Sequence, residues 1–228
     1  MKPWQQEMWC IPKASAEYVA CMEDVLDLYE QPYDPLHPQV CYDEWRRALI
    51  AESRTSLPAE PGKRKRIDYE YQRNGVAYLH MLFEPLVGKR HIRVTGQHTM
   101  KDFAHCMQWL VDEVYPLAEI IRVVLDNLAT HKPAALYETF PPEEARRILR
   151  KLEFHYTPKH ASWLNMAEIE LSVFGRTMKT YLPKEQLFRS EAQALADERN
   201  HSNAKVDWQF RSTDARIRLK QLYPSISA

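Results

Sequence analysis

One stretch limits the fold more than any other: Ile120–Asn127, IIRVVLDN. It is almost wholly apolar and β-branched, the pattern of a strand covered on both faces in the middle of a sheet. Such a strand needs helices on either side, so the chain is expected to be α/β. The run closes on Asp126. A lone buried carboxylate is costly. Asp126 therefore either turns the chain together with Asn127 or has a chemical partner. In open α/β sheets, sites collect at the carboxyl ends of strands, which is the position of Asp126.

The flanking sequence supplies the other elements. Ser15 caps a helix over AEYVACMEDVLDLYE, with Tyr18, Cys21, Met22, Val25 and Leu28 at helical spacing. Three prolines in QPYDPLHP end it. Gln39–Tyr42 reads as a short strand leading into Asp43-Glu44, and a loose basic segment follows to about Arg66. Ile67–Arg73, an Asn74-Gly75 turn, Val76–Glu84, a Gly88-Lys89 turn and His91–Thr95 predict an antiparallel meander. Thr99 caps a helix whose stripe is Phe103, Met107, Leu110, Val111 and Val114, stopped by Pro116. A charged helix Glu143–Lys151, a strand LEFHYT and a helix from about Ser162 complete the core. Residues 1–14 read as irregular. The expected division is an extension over 1–38, a main domain over 39–182 and a helical C-terminal extension over 183–228. The sheet is expected to be mixed, an antiparallel meander joined to parallel strands, with helices on its faces.

Composition excludes several functions. With 5 glycines against 15 prolines, no glycine-rich phosphate loop is present. Cys10, Cys21, Cys41 and Cys106 form no paired metal spacing, so zinc is not expected and free thiols are. No apolar run approaches the roughly 20 residues that span a bilayer, and the N-terminus has no signal-peptide core. The formal net charge is zero, so binding to a polyanion would rest on local patches such as Lys63, Arg64, Lys65 and Arg66, or Arg146, Arg147, Arg150 and Lys151. Each of these also reads as an ordinary solvated surface.

Three acidic positions invite chemistry: Asp43 after a strand, Asp126 after another, and Glu168 or Glu170 on the helix in TPKHASWLNMAEIEL. Carboxylates brought together repel unless a cation compensates. Hard oxygen ligands favour Mg²⁺ or Mn²⁺, and two such ions can drive phosphodiester cleavage. At 100° per residue, Trp163, Met166, Ala167, Leu171, Val173 and Phe174 form an apolar arc. Glu170 falls near its middle and Glu168 at its edge, so spacing buries Glu170 and puts Glu168 at a cleft rim. Glu44, next to Asp43, points to the opposite face if the strand continues, and is left out of the metal set.

VCYDE, VVLDNLATH and YTPKHASWLNMAEIELS, in that order, resemble the DDE transposases of the bacterial insertion sequence 630 type within the Tc/mariner superfamily. The resemblance covers about residues 1–224, including the WCIP and DWQF…DARIRLK flanks. Leu164-Asn165-Met166-Ala167-Glu168 matches the family's Leu-Asn-x-x-Glu block, which implies Glu168 rather than Glu170 as the third ligand. The resemblance implies a ribonuclease-H-like fold and two Mg²⁺ or Mn²⁺ ions held by Asp43, Asp126 and Glu168. It also implies endonucleolytic cleavage at transposon ends, joining of the 3′-hydroxyl to target DNA, a homodimer, and a bacterial, nucleoid-associated setting. His131 fits the family's histidine after the Asp-Asn pair and is expected to orient a ligand or to pack. Asn165 is expected to support Glu168 or to cap the helix, Lys159 and His160 to meet DNA backbone or to sit in an exposed loop, and Trp163 to pack in the core.

The sequence departs from the family pattern in three places. Asp126 and Glu168 lie 42 positions apart (168 − 126), more than is usual, and the extra length is assigned to the Pro141–Lys151 helix. Trp45-Arg46-Arg47 is bulky where small polar residues are expected, and this bulk is expected to disturb the first ligand. The family's N-terminal helix-turn-helix domains do not precede the motifs, which suggests a split or truncated reading frame with a separately encoded DNA-binding subunit. Two alternatives follow: a catalytically incomplete remnant, or a stand-alone nuclease of the same fold.

Overall fold

The computed structural model describes residues 15–64, 66 and 68–224. The expectations for residues 1–14, with Cys10 and the WCIP flank, and for Lys65 lie outside the described residues.

Five strands form one mixed sheet in the order β3-β2-β1-β4-β5. They are β1 (Gln39–Glu52), β2 (Tyr71–Glu84), β3 (Lys89–Thr95), β4 (Ile121–Leu125) and β5 (Leu152–Tyr156). β1, β2 and β3 pair antiparallel, and β4 and β5 join them in parallel. Seven helices lie among the described residues: α1 (Ala16–Tyr29), α2 (Met100–Trp109), α3 (Ala134–Thr139), α4 (Pro142–Leu149), α5 (Met166–Thr177), α6 (Glu185–His201) and α7 (Ser212–Arg218). None is long and apolar enough to cross a membrane.

The sheet sorts its side chains by period two. Cys41 and Val124 face α1, α5 and α6 in one core. Val40, Tyr42, Val123 and Leu125 face α2, α3 and α4 in the other. Burial on both faces explains the apolar runs in β1 and β4. Phe188, Ala192 and Leu195 of α6 and Ala215 of α7 enter the first core with Met22 and Leu26 of α1.

Local signals act where chemistry places them. The Ser15 hydroxyl caps α1 by accepting from Tyr18 N–H. Thr99 and Asp102 close a capping box on α2.

Two expectations fail. β1 does not stop at Tyr42 but runs on to Glu52, so the loose segment begins later. β2 begins at Tyr71, so Asp68–Glu70 of the expected strand fall outside it, and it passes through Asn74-Gly75 without turning; Ile67 lies outside the described residues. The register skips there: Ala48 pairs with Val76 and Ile50 with Arg73, so Asn74 and Gly75 together oppose Leu49. The dipeptide makes a β-bulge, which uses the same positive φ as a turn; Gly75 has φ 107° and Asn74 donates to the Pro183 carbonyl at 3.1 Å.

Candidate active site

The parallel register brings the first two carboxylates together. Val40 pairs with Val123 and Cys41 with Val124. Two residues further along the chain come Asp43, within β1, and Asp126, one residue past the end of β4, with the two strands roughly 4.8 Å apart. Alternation puts Asp43 on the face of Cys41, beneath α5. Asn165 fixes that helix in place. Its Oδ1 caps α5 by accepting from Ala167 N–H at 3.1 Å, and its Nδ2 donates to the Tyr42 carbonyl at 2.8 Å. One buried amide thus ties the start of α5 to the residue before Asp43. Glu168 lies in the first helical turn, where the helix dipole favours negative charge.

Asp43 feels the acidic neighbours. Burial raises the Asp43 carboxyl to about 7, and the charges of Glu168, Asp126 and Glu44 push the same way, against one hydrogen bond from Glu44 N–H. Asp43 Oδ1 accepts that bond at 2.7 Å. Asp126 Oδ1 accepts from His131 Nδ1 at 2.5 Å and from Leu128 N–H at 3.3 Å. Among the described residues no lysine or arginine pairs with Asp43, Asp126 or Glu168, although a cluster of this charge calls for a cation.

The carboxylates line two grooves. Asp43 and Glu168 line one with Trp45, Ser172, Gly175 and Arg176. Asp126 lines the other with Asn127, Thr157, Pro158, Lys159 and His160. Lys159 and His160 are exposed, and His160 has φ 64°. Trp45 walls the groove, edge-on to Phe188 with ring centroids 5.9 Å apart. Arg47 donates to the carbonyls of Lys179 and Thr180 at 2.7 and 3.0 Å. α4, which occupies the lengthened stretch before Glu168, packs in the opposite core through Ala145 and Ile148.

Other expectations change. Trp163 is not core: it is 42% exposed, with its ring stacked on Trp208 at 6.3 Å. The basic run at Lys63, Arg64 and Arg66 is at the tip of the β1–β2 arm. The connection starts at the end of β1, nine residue steps or about 30 Å from Asp43, and Lys63 pairs with Glu60 within it. Glu170 is buried, as the helical spacing predicts, and bonds to Arg90 and Arg199 instead of the site.

The sequence reading missed a second polar cluster behind the strand. Glu44 points away from Asp43 into a group of histidines. It receives Tyr42 OH, His98 Nε2 at 2.7 Å and His131 Nε2 at 3.1 and 3.2 Å, with His80 Nδ1 3.4 Å away. Burial raises the Glu44 carboxyl, but the bonds from His131 and His80 outweigh it and hold the group far below the usual range. Burial lowers His131, and the bonds to Asp126 and Glu44 reverse this and lift it to about 9. Single ligand atoms of Glu44, His98 and His131 lie within 4.8 Å of one another, close enough to hold a metal ion. Period two signals that Glu44 joins Tyr42; nothing local signals His80 and His98, which come from β2 and the loop after β3. Arg176 was also missed, although eight residues after Glu168 is the same helical face.

Comparison with known proteins bears on the family and the fold. A family model described as DDE superfamily endonuclease matches residues 38–190. The Mos1 strand transfer complex superposes with a TM-score of 0.56 at 11% identity, covering 87% of this chain and 61% of that one. The Mos1 mariner paired-end complex with Mn gives 0.52 at 12% identity, with coverage of 87% and 61%. The chain thus spans about three fifths of the length of these structures, and at such identity the likeness concerns the fold, a ribonuclease-H-like sheet. No curated protein matches the sequence.

Proposed function

The chain belongs to the DDE superfamily endonucleases, and from that premise we propose that it is the catalytic domain of a Tc/mariner transposase of the insertion sequence 630 type. In this reading it cleaves phosphodiester bonds at transposon ends and joins the freed 3′-hydroxyl to target DNA. The observation that carries it is that Asp43, Asp126 and Glu168 lie together with no lysine or arginine paired to them among the described residues, and that the one cation touching them, His131, is shared between Asp126 and Glu44. Each of the three offers at least one oxygen that no described residue engages, which is the donor set a hard divalent cation prefers.

Asp43, Asp126 and Glu168 would hold two Mg²⁺ or Mn²⁺ ions. When bound, such a pair activates the attacking oxygen and stabilises the leaving one. Asp43 must shed the proton that its burial favours before it can ligate. Asn165 keeps α5, and with it Glu168, at a fixed distance from β1. Lys159, His160 and Arg176 line the grooves on either side and would meet the phosphate backbone, which positions a strand without reading its sequence. The reading asks for no protein nucleophile. Partners would be transposon-end and target DNA, a second copy of the chain, and helix-turn-helix domains that recognise the ends, in the bacterial cytoplasm at the nucleoid. Residues 39–182 would form the catalytic unit, with 1–38 and 183–228 as its extensions.

A nicking and strand-transfer assay on DNA in Mg²⁺ or Mn²⁺ tests this. Asp126→Asn and Glu168→Gln should each lower cleavage by roughly a hundredfold or more, since even outer partners of a metal site cost 10–100-fold. Cleavage that survives both substitutions would refute the site. Cutting without joining would favour a stand-alone nuclease.

A further inference from the structure

We propose that Glu44 is a positioning residue: it holds the His131 ring so that His131 fixes Asp126 Oδ1 and leaves Oδ2 to a cation. The inference rests on the carboxylate site proposed above. It takes up a buried carboxylate that the mechanism otherwise leaves unused.

The geometry is that of a clamp. His131 is 1% exposed, and its two nitrogens serve two acids: Nδ1 reaches Asp126 Oδ1 at 2.5 Å and Nε2 reaches both Glu44 oxygens at 3.1 and 3.2 Å. Carboxylates only accept, so both ring nitrogens donate, and the ring is a cation. Rotating the ring would break both contacts at once. The rings of Tyr42 and Phe103, with centroids 5.2 and 5.0 Å away, hold its faces and edges. Tyr156 OH donates to the His131 carbonyl at 2.8 Å. Glu44 is anchored in turn. Tyr42 OH donates to it, and His80 links Tyr42 to the Thr95 hydroxyl at 2.8 and 2.9 Å. The chain of contacts runs from β3 through β2 and β1 to the end of β4.

The consequence falls on Asp126. Its side chain is 44% exposed, so left alone it would sample several rotamers. Oδ1 takes both donors, from His131 and Leu128. Oδ2 accepts from no described residue. A ligand held by a hydrogen-bonded outer partner is the usual device for orienting a metal site.

The experiment is Mn²⁺ titration of the full chain, by calorimetry and electron paramagnetic resonance, with thermal unfolding measured in parallel. Glu44→Gln keeps the shape and removes the charge; it should weaken Mn²⁺ binding roughly 10–100-fold. The rate at saturating metal should fall far less than the metal affinity. His131→Gln should weaken binding as much, and it carries the test alone if Glu44→Gln does not fold. His98→Gln, which removes a contact to Glu44 but none to Asp126, should stay within about threefold of wild type. Wild-type affinity in Glu44→Gln or His131→Gln, with Asp126→Asn weakened, would overturn the relay and leave the carboxylate site standing. Equal losses in His98→Gln and Glu44→Gln would overturn it too, because Glu44, His98 and His131 would then be holding the ion themselves. Asp126→Asn binding like wild type would refute the carboxylate site, and the relay with it.

Discussion

Arg199 grips Glu170 through two parallel hydrogen bonds, Nε to Oε2 at 2.7 Å and Nη2 to Oε1 at 2.7 Å. Arg90 donates Nε to the same Oε2 at 2.6 Å from the other side, and both Arg90 and Glu170 are sealed from solvent. Arg90 also bonds the Gly88 and Ala204 carbonyls and lies over the Phe83 ring. Glu170 therefore joins α5 to β3 and α6 while Glu168, two residues earlier, faces the groove. Removing one partner of a buried pair strands the other, so Glu170→Gln should cost about 3–5 kcal/mol, read by denaturant unfolding. Cation affinity, measured on whatever fraction stays folded, should be nearly unchanged.

The same pair sets an acid limit. Burial would raise the Glu170 carboxyl, but the two guanidiniums override it and hold the group below its ordinary value. A depressed carboxyl contributes stability that is complete above its unfolded pKa, about 4.3, and is lost as pH falls through the folded value. Stability measured against pH should drop below about 4 in wild type, and this part of the drop should be absent in Glu170→Gln.

Asp43 has the opposite sign. Its carboxyl is raised to about 7 by burial and by its acidic neighbours. In the metal-free protein the stability it contributes is full below its unfolded pKa, about 3.9, and is lost as pH rises through 7. A divalent cation should reverse that loss, by about 2.7 kcal/mol at one hundred times its dissociation constant. Calorimetry at pH 6 in buffers of different ionisation enthalpy should show a proton released on Mn²⁺ binding, and release should fade by pH 8. Asp43→Asn should abolish it.

Asn165 performs two tasks that mutation can separate. Asn165→Asp keeps an acceptor for the cap on Ala167 N–H and loses the donor to the Tyr42 carbonyl. Asn165→Ala loses both. The alanine variant should be destabilised by about 2–3 kcal/mol, a cap plus an unsatisfied buried carbonyl, and the aspartate variant by less. Both should bind Mn²⁺ more weakly, because α5 is no longer tied beside Asp43.

Gly75 supplies the control. A Cβ there would meet nothing within 4 Å, so its φ of 107° is the whole obstacle. Gly75→Ala should cost about 1–3 kcal/mol in backbone strain and leave Mn²⁺ binding intact, since the bulge lies far along the arm.

The parts of this molecule legible in sequence are those written in short-range periods. The double-sided burial of β4, the Ser15 and Thr99 caps, and the split between Glu168 and Glu170 all follow from spacing within one element. What was illegible depends on partners from other elements. Asn74-Gly75 carries the same left-handed preference for a turn and a bulge, and only the pairing with Leu49 decides. Trp163 sits at helical spacing with core residues, yet it precedes the α-helix proper and turns one face outward. Glu44 showed its direction by alternation, but its meaning came from His80, His98 and His131, which lie 36, 54 and 87 positions away (80 − 44, 98 − 44, 131 − 44).

The central claim is that Asp43, Asp126 and Glu168 form one cation site. Anomalous diffraction from crystals of the full chain soaked in Mn²⁺ tests it most directly. The account predicts manganese about 2.1 Å from carboxylate oxygens of all three residues, with His131 still bonded to Asp126. Manganese seated on Glu44, His98 and His131, or absent from the three carboxylates at saturating concentration, would contradict it.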